Sequence, residues 1–265
     1  MQQQILYIIG LIIISPVLPF LFLLGKSIRN NMPDLSEAPP PFSGKIDGDD
    51  SNRMSMLCIG ESSVAGVGIT SHEQGFVGFI AHYINKLSGL TIEWTVIAKS
   101  GVTAKRTALE LVPLIDQSDY DLVIIGLGGN DTFQLNSPAK WCHDLNNLTK
   151  SILHKLPDAR IVIANMPPVA HFPAFPFMIR KVFGGLIKLH GIMASKLARK
   201  HPQVFYIKHA IRLDLWLKEL DDGTTIHGLF TDGVHPSSLT FSIWCKEIAE
   251  YIVSNKLHLA NSELN

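Results

Sequence analysis

The sequence predicts an α/β domain built on a mostly parallel, five-stranded sheet with helices on both faces. Three observations carry this reading: five short apolar runs, intervening stretches whose apolar residues recur every three or four positions, and glycine-rich polar segments where the runs end. The 265 residues are 46% hydrophobic and 17% charged, enough for one or two domains with a substantial core.

The first element is Ile5 to Leu24, an uncharged run of 20 residues. At about 1.5 Å per helical residue it matches the roughly 30 Å of a bilayer core, so residues 1–25 are expected to form a single-pass membrane anchor. Pro16 and Pro19 each remove a backbone donor and predict a kinked or two-part helix. No basic residue precedes the run to mark a secretory signal. Lys26 and Arg29 follow it, which favours the cytoplasmic side for the rest of the chain, on two residues only. Residues 26–53, with Pro39-Pro40-Pro41 and Gly48-Asp49-Asp50, then read as a Pro/Gly/acidic linker. The remainder divides into a domain over 54–258 and a tail over 259–265.

The five expected strands are Met56–Ile59, Glu93–Ile97, Leu122–Gly126, Arg160–Ala164 and Val204–Ile207. Helical stripes are carried by Phe76, Phe79, Ile80 and Tyr83, loosely by Leu109, Leu111 and Leu114, and by Leu145, Leu148, Ile152 and Leu156. A last helix, from about Ser237 to Asn255, places Phe241, Trp244, Ile248 and Ile252 on one side.

Composition excludes several function classes. With 23 Lys+Arg against 23 Asp+Glu, the chain lacks the cationic surplus that nucleic acid demands, so no nucleic-acid partner is expected. Cys58, Cys142 and Cys245 are odd in number and widely spaced, which fits free thiols rather than disulfides or a zinc site. Gly60–Gly68 is not a phosphate loop, because five residues separate Gly60 from Gly66 and no Lys-Ser/Thr pair follows. Gly126-Leu127-Gly128 lacks the third glycine of a dinucleotide fingerprint, and Val64 rules out a G-x-S-x-G elbow around Ser62. No cofactor and no metal are expected.

In parallel sheets, ligands bind beyond the carboxyl ends of the strands. Those ends carry Gly60-Glu61-Ser62, Lys99-Ser100-Gly101 and Gly128-Gly129-Asn130-Asp131, with Thr231-Asp232-Gly233-Val234-His235-Pro236 before the last helix. A serine hydroxyl needs an imidazole to take its proton, and the imidazole needs a carboxylate to fix its tautomer; Asp232 and His235, three residues apart, supply such a pair.

In this order the four blocks resemble those of the SGNH, or GDSL-like, hydrolases over about residues 54–255. The resemblance implies a three-layer α/β/α sandwich with flavodoxin-like strand order. It implies Ser62 as nucleophile, His235 as general base and then acid, and Asp232 as the residue orienting His235. The N–H groups of Ser62 and Gly101 and the side-chain amide of Asn130 would form the oxyanion hole. Glu61 departs from the family pattern, standing where Asp is usual.

The expected activity is hydrolysis of a lipid or other acyl or acetyl ester. Membrane-tethered binding without turnover and acyl transfer by the same residues are the alternatives. The segment from Asn165 to Phe177 reads equally as the wall of an acyl pocket or as packing against the next helix. Lys105, Arg106, Arg180 and Lys181 read as a solvated face.

Overall fold

The computed structural model describes residues 2–17, 19–20, 23, 25, 33–116, 119–220 and 223–259. Its strands are β1 (Ser43–Ile46), β2 (Asp49–Gly60), β3 (Leu90–Ala98), β4 (Leu122–Gly126), β5 (Arg160–Ile163) and β6 (Val204–Tyr206). The longer helices are α1 (Gln2–Ile14), α2 (Phe76–Ser88), α3 (Pro138–Lys155), α4 (Phe177–Ala198), α5 (Leu213–Leu220) and α6 (Ser238–Ser254). One sheet holds all six strands in the order β1-β3-β2-β4-β5-β6. Strands β2 to β6 are parallel and β1 runs antiparallel on the edge of β3. Without β1 the order is the flavodoxin-like one, whose switch point falls between β2 and β4.

The strands are apolar on both sides because both sides are covered. Met54, Met56 and Cys58 of β2, with Leu122 and Ile124 of β4, pack under α2 and α6. The alternate residues Leu57, Ile59, Val123 and Ile125 pack under Trp141, Leu145, Leu148 and Ile152 of α3. Helix ends follow local chemistry: Ser137 caps α3 ahead of Pro138, Ser237 caps α6, and Gly89 closes α2 at φ +76°.

Each of the five expected strands lies within or over an observed one, and β1 is the sixth. Its sequence, Ser-Gly-Lys-Ile, holds one apolar residue, so it shows no apolar run. Gly44 pairs with Trp94, whose ring occupies the space a Cβ would take. The linker expected over 26–53 is therefore only partly a linker: residues 43–46 and 49–53 are strand, and 35–38 and Phe42 contact the domain. Residues 26–32, including Lys26 and Arg29, and the tail residues 260–265 lie outside the described residues. The loose stripe at Leu109, Leu111 and Leu114 forms only short helical turns; Leu111 is buried, while Leu109 and Leu114 are exposed.

The single-pass anchor expected over residues 5–24 is not supported. Helix α1 has 13 residues, roughly 20 Å, and passes at Ser15–Val17 into a tighter turn containing Pro16. Among the described residues no helix is long and apolar enough to cross a membrane. The membrane placement and the cytoplasmic-side orientation built on it fall with the anchor. Helix α1 instead touches the domain, the Tyr7 hydroxyl donating to the Leu135 carbonyl at 2.7 Å and the Ala139 N–H to Gln4 Oε1.

Candidate active site

Strand β2 ends on Gly60 beside Gly126 at the end of β4. A Cβ on Gly60 would stand 2.1 Å from the Gly126 carbonyl oxygen, and one on Gly126 would meet Val64 at 2.5 Å, so only glycines let the two strand ends and the following turn close up. The turn winds tightly: the N–H groups of Val64 and Ala65 donate to the Glu61 carbonyl, and that of Val67 to the Ser62 carbonyl. Val64, Ala65 and Val67 are buried beneath it, and Ser62 is half-buried on its rim. Neither the Ser62 N–H nor its hydroxyl makes a hydrogen bond among the described residues.

Beside it, the Lys99 N–H donates to the Gly60 carbonyl, and Gly101 adopts φ +78° with open space where a side chain would project. Its N–H is also without an acceptor among the described residues. On the other flank Gly128, at φ +131°, leads into a short helix, Gly129–Phe133. The Glu61 carboxylate accepts the N–H groups of Gly129 and Asn130, both at 2.8 Å. Burial pushes the Glu61 carboxyl up to about 7 against the pull of those bonds. The Asn130 side-chain amide donates to the Val102 carbonyl at 3.0 Å, which uses one of its two hydrogens. Behind it, the fully buried Asp131 accepts from the Ala104 N–H and the Asn136 amide.

The third part is a closed loop. Phe230 bridges to Pro236, the Thr231 N–H donates to the His235 carbonyl, and Gly233 turns at φ +86° against Ala174. Within it His235 Nδ1 donates to Asp232 Oδ2 at 2.7 Å. Asp232 Oδ1 accepts the N–H groups of Val234 and His235. The Asp232 side chain is 1% exposed. Burial pushes its carboxyl upward, but the bonds and charge of His235 outweigh that and hold it below the usual range. With Nδ1 assigned as donor from its carboxylate partner, Nε2 is left as the acceptor.

The fold thus pairs Asp232 with His235 and clips Gly129 and Asn130 to Glu61. It sets the two loops side by side, since a Cβ on Gly68 would stand 3.4 Å from Thr231. Ser62 and His235 are not hydrogen-bonded to each other. Sequence reasoning missed the clip by Glu61, although a carboxylate facing the first N–H groups of a strand-end helix was the available signal. Phe172 and Phe175 pack with Phe230, Phe133 and Phe183, so that part of the proline-rich segment is packing beneath the His235 loop. Arg106 pairs with Glu110, and Lys181 lies over Phe177. Among the described residues no cluster suits a metal ion.

A flavodoxin-like sheet and the match to a family of lipases and acylhydrolases together define the class as an ester-hydrolysing enzyme. The chain belongs to the GDSL-like lipase/acylhydrolase family, whose model matches residues 58–240. In fold it is similar to the crystal structure of TesA, with a TM-score of 0.55 at 19% identity, covering 77% of this chain and 99% of that one. It is also similar to phospholipase A1 from Streptomyces albidoflavus, with a TM-score of 0.52 at 17% identity, covering 75% and 98%. The extracellular lipase from Streptomyces rimosus gives a TM-score of 0.52 at 17% identity, covering 75% and 99%. No curated protein sequence matches the chain.

Proposed function

We propose that the chain cleaves carboxylic esters through an acyl-enzyme on Ser62. His235 Nε2 takes the proton as Ser62 Oγ attacks the ester carbonyl, and returns it to the departing alcohol. Asp232 holds the imidazole in the tautomer that exposes Nε2 and stabilises the cation that forms. The N–H groups of Ser62 and Gly101 and the Asn130 side-chain amide receive the oxyanion. Water, activated by the same imidazole, then releases the acid. The observation that carries this reading is the Asp232–His235 pair at 2.7 Å, set beside two turns whose Ser62 and Gly101 N–H groups have no protein acceptor among the described residues.

The substrate is a lipid or other acyl or acetyl ester. Hydrolysis of p-nitrophenyl esters from acetyl to long acyl chains tests the proposal and sizes the acyl pocket. Ser62→Ala is expected to lower kcat by at least about 10³-fold and to abolish labelling by a fluorophosphonate. A folded wild-type chain with no turnover and no labelled Ser62 would turn the reading to a binding domain. Acyl transfer uses the same intermediate, and an added alcohol that diverts the acyl group from water identifies it.

A further inference from the structure

Away from Ser62 a cavity of about 520 Å³ opens between α4, the segment following β5 and the segment following β6. Its size is that of a small-molecule site. None of Ser62, Gly101, Asn130, Asp232 and His235 lines it. Met166 separates the two regions, its sulfur lying 2.9 Å from where a Cβ on Gly128 would stand. The interior is apolar, walled by Met166, Val169, Ile187 and Ile211. Lys188, Lys196, Arg199 and Lys208 all line it as well, and among the described residues no Asp or Glu does. In a chain with equal numbers of acidic and basic residues, four cations and no acid around one cavity is a local excess of a single sign. Lys188, Arg199 and Lys208 lie exposed and form no ion pair among the described residues.

An apolar cavity bordered by Lys188, Arg199 and Lys208 matches a ligand with a single apolar chain and one anionic head. The chain would gain from leaving water, and the head would stay partly solvated beside Lys188, Arg199 and Lys208. We infer that this cavity binds a single-chain anionic amphiphile, with its chain against Met166 and Ile187 and its carboxylate or phosphate head among those three cations. The inference concerns a site distinct from the ester-cleaving centre and stands whether or not Ser62 turns over.

Calorimetric titration of the full chain with dodecanoate and dodecyl phosphate, each below its micelle concentration, and with dodecanol below its solubility limit, tests it. At least one of the two anions is expected to saturate a single site at least tenfold more tightly than dodecanol, and the better of them identifies the head group. Combining Lys188→Ala, Arg199→Ala and Lys208→Ala should erase that preference while leaving dodecanol binding unchanged. Ser195→Trp, which fills the cavity from α4, should abolish binding of all three. The inference is overturned if neither anion saturates, if the preference survives the triple substitution, or if a folded Ser195→Trp protein binds as the wild type does.

Discussion

Glu61 holds both oxygens on backbone N–H groups that precede and include Asn130, so it shapes the asparagine turn rather than taking part in proton transfer. An aspartate there, one methylene shorter, reaches the two donors less well and weakens at least one of those hydrogen bonds, at about 0.5–1.5 kcal/mol. Glu61→Asp should therefore lower the melting temperature by a few degrees, at about 2–4 °C per kcal/mol for a domain of this size. Its kcat should stay within about 100-fold of wild type, and a greater loss in the ester assay would give Glu61 a direct role in the reaction. Burial lifts the Glu61 carboxyl from 4.5 to about 7, so the native state holds its proton more tightly than the unfolded chain does. This contribution to stability is complete below about 4.5 and is lost as pH rises through 7, a change on the order of 3 kcal/mol. Urea midpoints measured from pH 5 to 8 should fall for the wild type more steeply than for Glu61→Gln; parallel curves would refute the upward shift.

The element that most alters the site is the segment just before β1. The Ser36 carbonyl accepts the Gly68 N–H, the Ala38 N–H donates to the Ala65 carbonyl, and Glu37 Oε1 accepts the Ser100 N–H at 2.6 Å. Ala38 is buried against Gly66, which turns at φ +68°. One strap thus holds together the Ser62 turn and the turn carrying Gly101, two sources of the proposed oxyanion donors. Glu37→Ala should reduce kcat roughly 3- to 10-fold, up to about 1.4 kcal/mol, with little change in KM. An unchanged kcat would mean that the Gly101 turn holds its own geometry. Nothing in Pro39-Pro40-Pro41 announces such a strap, because its contacts are backbone bonds to loops distant in sequence, whereas the runs of β2 and β4 are legible since burial on both faces demands apolar residues throughout. Helix α4 is less legible for a related reason: Gly184 and Gly191 interrupt its stripe where α4 approaches Ala170, Met166 and Tyr206. The site blocks were readable because each ends a strand or precedes the last helix. Their mutual bonds, Glu61 to Asn130 above all, depend on a strand order that sequence alone leaves open.

Across the whole molecule, the two apolar clusters that flank the sheet draw their buried members from Met54 onward, and α1 supplies none of them. Ile5, Leu6, Ile8, Ile9, Ile12 and Ile13 are each at least 47% exposed, so α1 contributes little burial to the domain and holds to it through few polar contacts. The strap and β1 are different, because they complete the β3 edge and bind both loops of the site. Two truncations separate these contributions. A fragment starting at Met32 keeps the strap and all six strands; it should hold its turnover and melt within about 4 °C of the full chain, the equivalent of about 1–2 kcal/mol. A fragment starting at Arg53 loses the strap, β1 and the first residues of β2, exposing the β3 edge to pairing with other chains. It should melt at least about 6 °C below the Met32 fragment, lose most of its kcat and aggregate at lower concentration. Equal melting and equal turnover for the two fragments would show that the catalytic domain begins at β2 and that the strap is dispensable. A Met32 fragment that fails to fold would instead place α1 among the elements the core requires, against its exposure.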